Sequence, residues 1–216
     1  PGAVAGLRAD LTKEIRGAIR FDSASRAMYS ADASNYRHVP IGVVEPRDAD
    51  DVEATVAVCR EHGVPVLPVG ARTSIGGQAV NTAVVLDFTK HMNRIVELDP
   101  DGRRARVQPG LVLDTLRDAA RSHGLTFGPD PSTHNRCTLG GMIGTNACGS
   151  HSMAWGKTVD NVHGLDVITY RGDRDTRPQT VRLRAAAQAA DPAVRRPTIS
   201  GGRLRASGRI SSRARG

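Results

Sequence analysis

Apolar positions change their spacing several times along the chain, and each change marks an element. Leu11, Ile15 and Ile19 recur at a helical interval and predict one short, weakly amphipathic helix over residues 10–29. An apolar run at 41–45, closed by Pro46, predicts a strand. Asp48 then stands as an N-cap, Val52, Val56 and Cys59 keep helical spacing, and Gly63 follows as the terminator. On that face Cys59 reads as a small buried hydrophobe. Runs at 64–69 and 84–88 predict two more strands, so this part is a βαβ unit with a parallel core. From Arg94 the pattern alternates about Asp101-Gly102, the turn pair of a hairpin. A helix is expected over 112–122 with Gly124 as its stop, and one more strand over 162–170. The expected fold is α+β in two subdomains, the first small and parallel, the second mainly antiparallel with helices.

Two stretches escape both periods. PVGARTSIGGQ at 68–78 follows an apolar run, and PDPSTHNRCTLGGMIGTNACGSHSMAWGKTVDN spans 129–161 with Gly128 at its edge. Segments so rich in Gly, Ser, Thr and Asn cannot make a core, but they can bring backbone N–H groups and small hydroxyls close to an anion. Two such loops in one domain point to a large phosphorylated cofactor held from two sides. Other chemistries fit less well. Trp155-Gly156-Lys157-Thr158 resembles the end of a phosphate-binding P-loop, yet His151 stands where that motif needs glycine. The GxGxxG dinucleotide fingerprint is missing. His134 with Cys137 and Cys148 with His151 are zinc-type pairs, but the intervening TLGGMIGTNA is apolar and glycine-rich, unlike a zinc-finger helix. The favoured reading is no metal, with both cysteines packed in a buried loop beside the cofactor. Ser74 and Ser132 lack a His and Asp pattern that would make either a nucleophile, and no catalytic residue is assigned.

Charge adds little to this picture. The 216-residue chain has a formal charge of +8, but residues 171–216 carry 12 arginines against 3 aspartates, while residues 1–170 carry 18 basic and 19 acidic groups. The basic end has no aromatic residue to stack on a base and only six large aliphatics, Val181, Leu183, Val194, Ile199, Leu204 and Ile210. It is expected to be a disordered or aberrant tail, such as a truncated or frame-shifted end would leave, with no nucleic-acid partner. Three cysteines and a charged N-terminal stretch suit a cytoplasmic protein, with peripheral membrane attachment as the alternative, and no run is long enough for a membrane span.

Taken together, PVGARTSIGGQAV after a strand, PDPSTHNRCTLGGMIGTNACG, and the strand NVHGLDVIT resemble the PCMH-type FAD-binding domain of the vanillyl-alcohol oxidase and p-cresol methylhydroxylase superfamily. Within it the chain is most similar to the glycolate oxidase and D-lactate dehydrogenase group of FAD-linked oxidases. The resemblance implies a domain over 25–172, preceded by an N-terminal helical segment at 1–24 and followed by the tail at 173–216, with FAD between the two subdomains. It implies that Gly70, Ala71, Arg72, Thr73, Ser74, Gly76 and Gly77 wrap the pyrophosphate, mainly by backbone N–H groups and the two hydroxyls. Pro131 and Ser132 would begin the second contact, and Thr138, Gly140 and Gly141 would open a helix facing phosphate and ribitol. Thr145, Asn146 and Gly149 would follow along the isoalloxazine, with Val162 at the adenine. His38 and His134 are candidates for covalent attachment, but neither lies in an attachment motif, and noncovalent FAD is expected. The implied function is an oxidoreductase domain from an enzyme passing hydride from a D-2-hydroxy acid to flavin, with a separate electron acceptor. Nothing after Tyr170 resembles that superfamily's substrate domain and no cysteine follows Cys148 to hold an iron–sulfur module, so neither is expected in this chain. The competing readings are a non-catalytic FAD-binding fragment and a nucleic-acid-binding protein acting through the tail.

Overall fold

The computed structural model describes residues 2–186. Its first unit comprises α1 (Gly2–Glu14), β1 (Ala18–Arg20), α2 (Ser23–Met28), β2 (Gly42–Glu45), α3 (Ala49–Glu61), β3 (Val66–Val69) and β4 (Val84–Asp87). The strands lie in the order β1-β2-β4-β3; β2, β4 and β3 are parallel, and β1 runs antiparallel to β2. The expected βαβ core is therefore present. Asp48 caps α3 by accepting from the Asp51 N–H at 3.2 Å, and Gly63 beyond its end takes φ +63°, where a side chain would be strained.

The single helix expected over 10–29 is instead α1, β1 and α2. Gly17 explains the break: a Cβ there would run into the Glu45 carbonyl, so the chain must press against β2 at this point. Ile19 pairs with Val44, and Asp22 then caps α2 by accepting from the Ser25 N–H at 2.8 Å. Nor is the N-terminal stretch a separate helical segment. Leu7, Leu11 and Ile15 share one core with Val44, Val52, Val58, Cys59 and Val84, on the face of the sheet that α1 and α3 cover. Tyr29, Val43, Val69 and Val85 form a smaller cluster of their own.

The second unit comprises β5 (Ile95–Asp99), β6 (Arg104–Val107), α4 (Leu113–Arg121), β7 (Leu125–Phe127), α5 (Leu139–Thr145), α6 (Ser152–Trp155), a 3-10 turn at Val159–Asn161, β8 (Val162–Ile168) and β9 (Arg174–Ala185). Every pairing in its sheet is antiparallel. The expectation that the fold ends at 172 fails here. β9 pairs with β6, β7 and β8, and Val181 and Leu183 are buried among Val107, Leu116, Phe127 and Leu139. The physical reason is local: Val181, Arg182 and Leu183 alternate buried, exposed, buried, as a half-covered strand requires. The rest of the expected tail, 187–216, lies outside the described residues.

Candidate functional site

The first glycine-rich loop leaves the end of β3 and returns at β4. Parallel strands end with their carbonyl ends on one side, which places this loop at that edge of the sheet. Its root is close against the second stretch: a Cβ on Gly70 would collide with the Thr138 side chain. Gly77, at φ +80°, lies under the Tyr36 ring, while Ile75 stands 83% exposed. Among the described residues, no backbone N–H from 70 to 78 donates to a protein acceptor. Loop amides left in this state, on a partly exposed segment running from β3 to the buried strand β4, are available to an anion, and we call this segment the amide cradle. The Ser74 hydroxyl is engaged with the Gln78 side chain.

The second stretch behaves differently. Thr138 is buried and caps α5, its Oγ1 accepting from the Gly141 N–H at 3.3 Å. The Leu139 N–H donates to Leu111 O at 2.9 Å and the Gly140 N–H to Pro109 O at 2.8 Å. The helix opens where expected, but its leading amides are already bonded, so it does not present them to a phosphate. Gly140 serves packing, since a Cβ would meet Pro109 at 2.7 Å, whereas Gly141 is exposed and a Cβ there would meet only Thr138 Oγ1, at 3.1 Å. Pro131 and Ser132 lie at the surface end of the turn that leads to Cys137, and Pro131 O accepts from the His134 N–H at 3.0 Å. The Thr145 hydroxyl donates to Gly141 O at 3.0 Å, and Asn146 ends α5 in the left-handed region at φ 48° with its Oδ1 accepting from the Val159 N–H. Gly149 is pressed against the Asp130 carbonyl, which closes the stretch on itself. Val162 starts β8 opposite Val181, and its N–H bonds to Val159 O.

Behind this stretch lies an ionic chain that sequence reasoning missed. Arg117 on α4 donates to Asp130 Oδ1 at 2.8 Å, to Pro129 O at 3.0 Å and to Phe127 O at 3.4 Å. Asp114 on the same helix pairs with Arg117 Nη1 at 3.8 Å and meets His134 Nδ1 at 2.7 Å, and His151 Nδ1 approaches Asp130 at 3.2 Å. Burial pushes the Asp130 carboxyl up, yet the Arg117 hydrogen bond and charge, aided by His151 and Ser150, outweigh it and hold the group below the usual carboxylate range. No motif announces Arg117; its only signal is a cation next to the apolar stripe position Leu116. His134 and His151 are thus each drawn to a different carboxylate, and among the described residues no three His, Cys, Asp or Glu side chains gather to hold a metal ion. Cys137 is buried as expected, but Cys148 is exposed, because the loop after α5 turns outward there.

A separate cavity of ≈ 840 Å³ lies between the two sheets, lined by Val52, Leu86, Val107, Ile143, Leu165 and Arg174 among others. It reaches the back of α5 at Gly140 and Ile143 and the start of the first stretch at Pro68, but residues 70–78 do not line it, so it is distinct from the open amides. Among the described residues no helix is long and apolar enough to cross a membrane.

Comparison with known proteins bears on the family and the fold. Residues 40–175 match the family described as "FAD binding domain". D-2-hydroxyglutarate dehydrogenase of Pseudomonas putida is 41% identical over 162 residues, covering 74% of this chain and 16% of that protein. Glycolate oxidase subunit GlcD of Bacillus subtilis is 40% identical over 166 residues, covering 74% and 35%. Among solved structures, alkyldihydroxyacetonephosphate synthase superposes with a TM-score of 0.71 at 20% identity, over 86% of this chain and 44% of that one. 6-Hydroxy-D-nicotine oxidase from Arthrobacter nicotinovorans gives 0.68 at 21% identity, over 79% and 43%. These last two share the fold. The chain thus spans about a sixth to a third of the length of these curated relatives.

Proposed function

From the premise that this chain belongs to the FAD binding domain family, we propose that it forms the flavin-holding part of an oxidoreductase acting on a D-2-hydroxy acid. The observation that carries the reading is the set of unbonded backbone N–H groups over 70–78, at the edge of the parallel sheet and against Thr138. A pyrophosphate needs converging donors that are not already bonded, and this loop has them. Bound flavin supplies the hydride-accepting chemistry. The chain's own work is to bind and orient it: the amides of Gly70, Ala71, Arg72, Thr73, Ser74, Gly76 and Gly77 take the phosphates. Thr138, Gly140 and Gly141 shape the wall opposite. Thr145, Asn146 and Gly149 continue that wall, with Pro131 and Ser132 at its entrance and Val162 at its far end. In the whole enzyme a small 2-hydroxy acid would be oxidised and an external acceptor would take the electrons.

The test is flavin bound per chain after incubation with FAD and gel filtration, read by absorbance, followed by D-2-hydroxyglutarate or D-lactate with an artificial electron acceptor. Stoichiometric flavin supports the binding reading. Its absence from a folded chain would overturn that reading. Flavin without turnover would leave the second reading, a binding fragment whose catalytic groups lie elsewhere, which the short span against its relatives favours.

A further inference from the structure

Arg72 sits near the start of the amide cradle with its backbone in the left-handed region, at φ 55°. An arginine is strained there, where glycine would not be. That backbone turn sends the side chain away from the loop surface and back toward the segment after α2. Its Nη1 donates to Met28 O at 2.7 Å and to Ala31 O at 3.1 Å, and its guanidinium carbon lies 4.5 Å from the centre of the Tyr29 ring. The ring is held in turn. Tyr29 is buried, and its hydroxyl donates to Asp87 Oδ2 at 2.6 Å at the end of β4, the strand into which the loop returns. Asp87 Oδ1 also accepts from the Thr89 N–H and hydroxyl. Two further bonds complete the tie: the Ala33 N–H donates to Arg72 O at 3.2 Å, and the Ala79 N–H to Asp32 Oδ2 at 3.3 Å. The loop is fastened to residues 28–33 at both of its ends, while its own amides stay open.

We propose that Arg72 is a positioning residue, a clamp that presets the loop amides for a phosphate, and not a phosphate ligand through its side chain. Turning the guanidinium toward a ligand would abandon two carbonyls and an aromatic face at once. Only a planar fork can stack on the ring while one nitrogen bonds both carbonyls, so lysine does not replace it. Fixing the loop before a ligand arrives lowers the ordering cost of binding. The phosphate's identity as part of FAD rests on the reading above; the clamp does not.

The experiment uses the full chain, ligand-free, with hydrogen exchange followed over 28–33 and 70–79, and FAD affinity measured in parallel by flavin fluorescence. Arg72→Met, Arg72→Lys and Tyr29→Phe are compared with wild type. Arg72→Met and Arg72→Lys should each speed exchange in both segments and weaken FAD about tenfold, a change of about 1.4 kcal/mol. Tyr29→Phe cuts the Asp87 tether without changing any charge near a ligand, and should shift both readings the same way by less. Unchanged exchange over 28–33 in Arg72→Met, with FAD affinity lost and restored by lysine, would make Arg72 a direct ligand and overturn the proposal. Exchange rising equally through β2 and β4 would overturn it too, by assigning Arg72 to general stability. Should wild type bind no FAD, the flavin reading falls while the exchange comparison still decides the clamp.

Discussion

Ending the chain after Asp173 should unfold the second sheet, whereas ending it after Ala186 should not. β9 carries Val181 and Leu183, 0% and 1% exposed, into the core formed with Leu116, Phe127 and Leu139. Burying a side chain of this size stabilises by about 1.5–3 kcal/mol, so the two together contribute about 3–6 kcal/mol. The strand also gives β6, β7 and β8 their antiparallel partner, and removing it leaves their facing N–H and C=O groups without one. Against a total stability of about 5–15 kcal/mol for a domain, that loss is most or all of what holds the sheet. The assay is urea unfolding by circular dichroism on chains ending at 173, at 186 and at 216. Leu183→Ala in the full chain grades the same effect, with an expected loss of about 2–5 kcal/mol. If the 173-residue form unfolds within about 1 kcal/mol of the full chain, a difference ordinary for a single point mutation, β9 does not belong to the core.

Three further outcomes follow from the site. Gly149→Ala should destabilise by about 1–3 kcal/mol, because its Cβ would overlap the Asp130 carbonyl, while Gly141→Ala should leave the melting temperature unchanged and weaken FAD binding; melting and flavin titration separate the two. Asp130 is depressed in the folded protein, so it stabilises above the unfolded carboxylate value of about 3.9 and that contribution is lost as pH falls through the lower folded value. Asp130→Asn should therefore be less stable than wild type at neutral pH, and the two should converge at the acid end, measured by denaturation across pH. Finally, a thiol reagent should label Cys148 rapidly and leave Cys59 intact until unfolding, since Cys59 is fully buried and burial pushes its thiol up to about 11. Equal labelling of both in the native protein would contradict this packing.

Much of the architecture was legible where apolar spacing ran long enough to be read. The Asp48 cap, the α3 stripe and the hairpin about Asp101-Gly102 all depend on neighbours in sequence, and local chemistry fixes them. Two errors share one cause, averaging over a stretch. Arginine content across 171–216 concealed the alternation at Val181 and Leu183, and the helical interval of Leu11, Ile15 and Ile19 ran across Gly17, whose role is set by β2 far along the chain. The candidate site divides in the same way. Glycine clustering located both loops, but which amides remain free depends on Pro109 and Leu111 reaching α5, and no local pattern encodes that. The Arg72 contacts with Met28, Ala31 and Tyr29, and those of Arg117 with Asp130, are likewise tertiary.

The position of β9 at the end of the described chain also sets the order in which the molecule can assemble. All four strands of the first sheet are present once residue 87 has been made, so that sheet can form while synthesis continues. The second sheet has no such option. Ala105 on β6 must wait for Val181, and Phe127 on β7 for Leu183, so the strands made early stand with exposed edges until the last one emerges. Loops that long are slow to close. A ribosome pausing between residues 130 and 174 therefore holds out a finished parallel half beside an open antiparallel one. That interval is when a chaperone would have the most to bind.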